Sequence, residues 1–224
     1  MQKQKENIIK SLLIKSGVCS EESIIQYFPK TRDRDDISVL KCTKSDVIFL
    51  SRSDHAEIEY YNEKENFTYW GSDDRKNAVV SEDEDTQRRS KQFKSIIANK
   101  KWIDIGTGAG GILDILNTVA AKTAAVEPQE APRKTLSAIG YKMYGSTDEI
   151  EDIDFEVVTL FHVFEHFTDP INTLTIIKSK MTKGGIIIIE VPHARDCLLS
   201  LFDNEAFRVS RFGASTCYCT QKKA

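Results

Sequence analysis

No apolar run in this 224-residue sequence approaches the roughly 18 residues that cross a bilayer; the longest, residues 186–191, is interrupted by Glu190. A secretory leader is not expected either. Gln2, Lys3, Gln4, Lys5 and Glu6 precede a brief apolar stretch at residues 8–14, and no small-residue cleavage site follows it. An excess of basic charge is also missing. Lys and Arg number 31 against 34 Asp and Glu, a net charge of −3, with no basic face to hold a nucleic acid. The five cysteines (Cys19, Cys42, Cys197, Cys217, Cys219) are odd in number and lack CxxC spacing. That argues against a disulfide framework and for a reducing, cytoplasmic setting. Repeats and low-complexity tracts are absent as well.

What is present changes character near residue 100. The first part is polar and broken, with a short strand-like piece at residues 47–50 and an aromatic patch of Tyr60, Tyr61, Phe67, Tyr69 and Trp70. A helix is expected to lead out of it, begun by Ser81-Glu82-Asp83-Glu84 as a capping box and carrying Arg88, Arg89, Lys91 and Lys94 further along. After residue 100, short apolar runs alternate with amphipathic stretches. Strands are expected at 102–105, 124–126, 141–144, 155–160 and 185–191, with helices at 129–139 and 170–181 between them. Five strands alternating with helices make an open, mostly parallel α/β sheet of Rossmann type.

The chemistry centres on Gly106-Thr-Gly-Ala-Gly-Gly111, a glycine turn between the first of these strands and a helix that starts with Ile112. Such a turn brings backbone N–H groups and a helix N-terminus against a ligand, because no Cβ blocks the approach. Gly106, Gly108 and Gly111 fit the GxGxxG dinucleotide pattern. Asp104, Gly106, Gly108 and Gly110 fit equally the acidic-x-Gly-x-Gly-x-Gly loop of S-adenosylmethionine (SAM) binders. Glu127, 21 residues beyond Gly106, would accept hydrogen bonds from ribose hydroxyls in either case. A nicotinamide-dependent oxidoreductase therefore stays open on the loop alone, although such folds usually begin with the glycine strand near the N-terminus.

Further along stand Phe155-Glu-Val-Val-Thr-Leu-Phe-His-Val-Phe-Glu-His166, Asp169-Pro170 and Gly184-Gly185-Ile-Ile-Ile-Ile-Glu-Val-Pro192. With the glycine loop, this ordered series resembles the class I SAM-dependent methyltransferases over residues 81–193. Within them it resembles the branch that acts on small molecules and nucleotide-linked sugars, by C- or O-methylation. The resemblance implies that Asp104, Gly106, Gly108 and Gly110 line the methionine part of SAM and that Glu127 holds the ribose. It places Thr147 and Asp148 at the adenine, and the backbone of Leu160 and Phe161 near the methyl group. His162 becomes the candidate general base, a neutral imidazole suited to taking a proton near neutral pH. The string His162-x-x-Glu165-His166 also has inverted zinc-protease spacing. A third ligand and the required helix are missing, so no metal is expected there.

Two domains are expected, an N-terminal lobe at 1–80 and the SAM-binding domain at 81–224. Lys41-Cys-Thr-Lys-Ser-Asp-Val-Ile-Phe-Leu50 is similar to the second half of a zinc-binding lobe in some sugar C-methyltransferases, but Ser45 replaces the second Cys. A metal-free remnant is the expectation, because four ligands close such a site. The aromatic patch could form a lid over the cofactor. Beyond Asn204-Glu-Ala-Phe207, the family's last two strands cannot be traced. The sheet is therefore expected to lack part of its final antiparallel edge and to self-associate through it. A catalytically silent SAM-binding protein is the competing expectation. The expected acceptor is a small molecule or nucleotide sugar; neither a nucleic acid nor a membrane is expected as partner.

Overall fold

The computed structural model describes residues 7–52, 74–202 and 218–219. The aromatic patch expected to form a lid, and most of the C-terminal stretch, lie outside the described residues. By its contacts the chain divides into two compact units. The first comprises Met1–Glu57, Phe164–Pro170 and Val191–Ala224, and the second Ile58–Val163 and Ile171–Glu190.

In the first unit, helix α1 (Ile8–Lys15) begins at Asn7, whose side chain accepts from Lys10 N and donates to Leu50 O. Strands β1 (Ile24–Phe28), β2 (Val39–Cys42) and β3 (Ile48–Leu50) form an antiparallel sheet. Ile37, Val39, Ile48, Leu50, Ala194 and Leu199 pack as its core. The β2–β3 turn brings together the thiols and hydroxyls that the sequence left apart. Cys42 Sγ lies 3.3 Å from Ser23 Oγ, and Cys19 Sγ lies 3.8 Å from Ser45 Oγ.

The second unit carries a five-stranded sheet. Its strands are β4 (Lys101–Ile105), β5 (Lys122–Val126), β6 (Lys142–Tyr144), β7 (Phe155–Phe161) and β8 (Met181–Glu190), in the order β6-β5-β4-β7-β8 and all parallel. Helices α2 (Arg75–Ser81), α3 (Asp83–Ile97), α4 (Gly111–Leu116), α5 (Glu130–Ala138) and α6 (Pro170–Ser179) accompany them. Trp102, Leu113, Leu116, Leu136 and Ile97 are fully buried and form one core with Ala125 and Val157. β8 stands at the sheet margin. The short strand β9 (Tyr218–Cys219) pairs antiparallel with β3 in the first unit's sheet, and among the described residues no strand pairs with the outer side of β8.

Two local expectations need correction. The capping box at Ser81 does not form. Ser81 ends α2 and its hydroxyl donates to Ala78 O, while α3 starts after Glu82 without a side-chain cap. The acids of its first turn supply the favourable interaction with the helix dipole instead. Helix α6 also stops two residues early. The register between β7 and β8 jumps from Phe155↔Met181 to Val157↔Ile186, so residues 182–185 bulge out of the ladder and the strand begins before the glycines. Gly184, at φ +82°, supplies the turn the bulge requires.

Candidate cofactor and acceptor site

The glycine loop joins the end of β4 to α4. Gly106, Gly108 and Gly110 all have positive φ, at 71°, 56° and 75°. A Cβ at Gly106 would strike the Val163 side chain, and one at Gly110 would sit 2.5 Å from Leu136 Cδ2. At Gly108 nothing lies within 4 Å of the Cβ position, so the loop is open there. Gly106 N and Thr107 N both donate to Val126 O, tying the loop to the end of β5. Gly110→Ala is expected to destabilise the fold by about 2 kcal/mol, from the left-handed backbone and the crowding of Leu136. Denaturant unfolding checks this; an unchanged midpoint would refute it.

Glu127 follows β5 and is only 4% exposed. Its Oε2 accepts from Gly108 N at 2.7 Å and its Oε1 from Gln129 N at 2.9 Å. Burial raises its pKa to about 7, against the two amides and Arg133, which favour the charge. Arg133 reaches back from α5 to donate to Glu127 O and Pro128 O. Glu127 N donates to Tyr144 O, so the ends of β5 and β6 meet at this residue.

Asp104 is buried within β4. Trp102 Nε1 donates to Thr159 Oγ1 at 2.8 Å, and that hydroxyl donates to Asp104 Oδ1. Burial lifts Asp104 to about 6, moderated first by the Thr159 hydrogen bond. Thr159→Val leaves both an indole N–H and a carboxyl without this partner, and is expected to cost about 2 kcal/mol of stability. A loss below about 0.5 kcal/mol in denaturant melts would put the relay outside the stabilising core.

At the other side of β4, β7 ends in Leu160, fully buried, and Phe161, which stacks on Phe93 at 5.5 Å. Arg89 lies over the Phe161 ring. The next residue, His162, has φ +56° and its N–H donates to Glu190 O, joining the ends of β7 and β8. Such a backbone in a non-glycine residue is typical of functional sites. His162 Nε2 lies 3.3 Å from Glu190 Oε1. The Glu190 carboxylate also accepts from Arg88 and from Arg89, the latter at 2.6 Å. Burial works against its charge, but the two guanidinium groups hold its pKa below the usual carboxylate value. Thr147 lies half-buried and Asp148 exposed in the turn after β6, with Gly145 N donating to Glu149. His166 falls in the short 3-10 turn Phe164–His166, which belongs to the first unit.

Three contributors escaped the sequence. Arg75 donates from α2 to Ala109 O of the glycine loop and pairs with Asp114. Arg89 and Gln129 complete the set. The β5-to-α5 spacing could have singled out Gln129; nothing local marks the arginines, whose partners lie far along the chain.

An open parallel sheet with a glycine loop after β4 and a buried acid after β5 defines a nucleoside-cofactor site at the carboxyl ends of its strands. A methyltransferase-domain family profile matches residues 63–220, and the chain belongs to that family. This decides between the two readings of the glycine loop: the cofactor is SAM. No curated protein matches the chain. Among solved structures, the chain is similar to a putative methyltransferase in complex with the Haloferax volcanii Trm112 activator. The two share 18% identity over 57% of this chain and 60% of that one, with a TM-score of 0.47. DhpI in complex with SAM and HEP shares 13% identity over 67% of this chain and 71% of that one, at 0.47. The sugar N-methyltransferase KedS8 from Streptoalloteichus sp shares 16% over 51% and 49%, at 0.40. The residues fit the cofactor. Gly108 leaves room for backbone approach, and Glu127 is a buried carboxylate beside it. Among the described residues no helix is long and apolar enough to cross a membrane.

Proposed function

We propose that the chain transfers the methyl group of SAM to a carbon or oxygen of a small molecule, in particular a nucleotide-linked sugar, with His162 as general base. The observation that carries this is the His162–Glu190 pair, 3.3 Å apart at the adjoining ends of β7 and β8. Asp104 and the glycine loop hold the methionine part of SAM, Glu127 its ribose, and Thr147 with Asp148 the adenine, while the backbone of Leu160 and Phe161 lies near the methyl group. The sulfonium of SAM supplies an already activated methyl group, so the protein's work is alignment and removal of one proton.

The His162 imidazole, with Nε2 beside the Glu190 carboxylate, takes the acceptor's proton. The acceptor's proton would pass to His162 as the acceptor takes up the methyl group that bound SAM would supply. Arg88 and Arg89 keep Glu190 ionised, so it stabilises the imidazolium that results. Cys19, Cys42 and Cys197 are free thiols, which fits a cytoplasmic protein. The Cys19–Ser23–Cys42–Ser45 knuckle fits a metal-free remnant of a zinc-binding lobe.

Incubation with SAM and a panel of nucleotide sugars tests the reading through S-adenosylhomocysteine formation. Turnover with at least one acceptor is expected. That no described strand pairs with the outer side of β8 favours a second reading, in which SAM binds without turnover. Binding of SAM with no product from any acceptor would select it.

A further inference from the structure

Among the described residues, only Gln129 has both polar ends of a side chain buried and without a hydrogen-bond partner. It is 4% exposed and precedes α5 without capping it. Buried carboxamides are ordinarily satisfied at both ends, so an orphan of this kind points to an absent partner. Its place narrows what that partner is. Its N–H donates to the Glu127 carboxylate, which sets Gln129 beside the ribose-holding acid. It lies between β5 and β6, whose ends meet through Glu127 N and Tyr144 O. The turn with Thr147 and Asp148 leaves β6 at this same end of the sheet. A carboxamide offers one donor and one acceptor in a plane, the complement of adenine's amino group and neighbouring ring nitrogen.

We propose that Gln129 is a specificity-determining contact for the adenine of SAM, accepting from its amino group through Oε1 and donating to a ring nitrogen through Nε2. The inference rests on SAM as cofactor and is independent of the acceptor and of His162. Calorimetry on the full chain tests it with S-adenosylhomocysteine and S-inosylhomocysteine, in which a carbonyl replaces the amino group. The unaltered protein is expected to favour the adenosyl compound by about tenfold or more. Gln129→Met, close in length but without polar atoms, is expected to bind S-adenosylhomocysteine about tenfold more weakly and to bring the two affinities together. Its ligand-free melting temperature should hold or rise, since an unpaired amide leaves the interior; a residue with only a structural role would lower it. Gln129→Glu, which keeps the acceptor and loses the donor, is the second variant and should also weaken S-adenosylhomocysteine. Unchanged affinity in either variant, or discrimination that persists in Gln129→Met, overturns the proposal while leaving the cofactor assignment intact. Failure of the unaltered protein to bind either compound overturns both.

Discussion

His162→Ala is expected to lower kcat by about 100- to 10,000-fold, the range supplied by a positioned general base. Binding of SAM should stay within about twofold, because the cofactor contacts assigned to Asp104, Glu127 and the glycine loop do not pass through the imidazole. The two arginines make the companion variant informative. Glu190→Gln keeps the shape of the carboxylate but leaves Asp85 as the remaining charge partner of Arg88 and Arg89, and places an amide 3.3 Å from His162. With the carboxylate gone, the imidazolium loses its stabilising neighbour, so kcat should fall with SAM affinity unchanged. A structural role for His162 would instead appear as lost folding with unchanged kcat in the molecules that remain. Single-turnover rates, calorimetric SAM titration and melting curves separate the outcomes. Full activity in His162→Ala would remove the base assignment.

The arrangement of β4 to β8 could be read from the sequence because each strand is a short apolar run bounded by glycine or acid. Trp102-Ile-Asp-Ile105 is an example, and its burial on both faces follows from its place at the centre of the sheet. Glu127 was equally legible, since strand spacing alone carries an acid to the end of β5. Boundaries failed where local signals competed. Ser81 carries the cap signature, yet α2 runs through it and spends its hydroxyl on Ala78. Gly184 reads as a helix stop but serves a bulge within β8. The charged half of the site was illegible for another reason. Arg88 and Glu190 are 102 residues apart, and Arg75 reaches its loop partner across 34. Only the folded sheet, which sets the ends of β7 and β8 side by side, turns Arg88, Arg89, His162 and Glu190 into one cluster. The arginines then read as what sustains the Glu190 charge rather than as a solvated helix face.

Affinity for SAM is expected to rise about tenfold as pH increases from 6 to 8, with proton release on binding, and Glu127 is the group responsible. In the ligand-free protein burial raises its pKa from 4.5 to about 7, so the folded chain holds the proton more tightly than the unfolded one. Below 4.5 both states are protonated and burial carries no electrostatic cost. As pH climbs through 7 the folded chain must ionise a buried carboxyl, and stability falls by an amount on the order of 3 kcal/mol. Asp104, raised to about 6, adds to the loss in the lower part of that window. Ribose hydroxyls are donors that the ionised form accepts best, so ligand binding favours deprotonation and recovers part of this cost. Glu127→Gln removes the titration. Its ligand-free stability should lose the fall that Glu127 imposes between pH 4.5 and 8, beneath a constant loss because an amide nitrogen cannot accept from both Gly108 N and Gln129 N. Its SAM affinity should be weaker by about 1–3 kcal/mol at pH 8 and nearly independent of pH. Calorimetry in buffers of differing ionisation enthalpy measures the released proton directly. A pH-independent affinity in the unaltered protein would place the ribose on another residue.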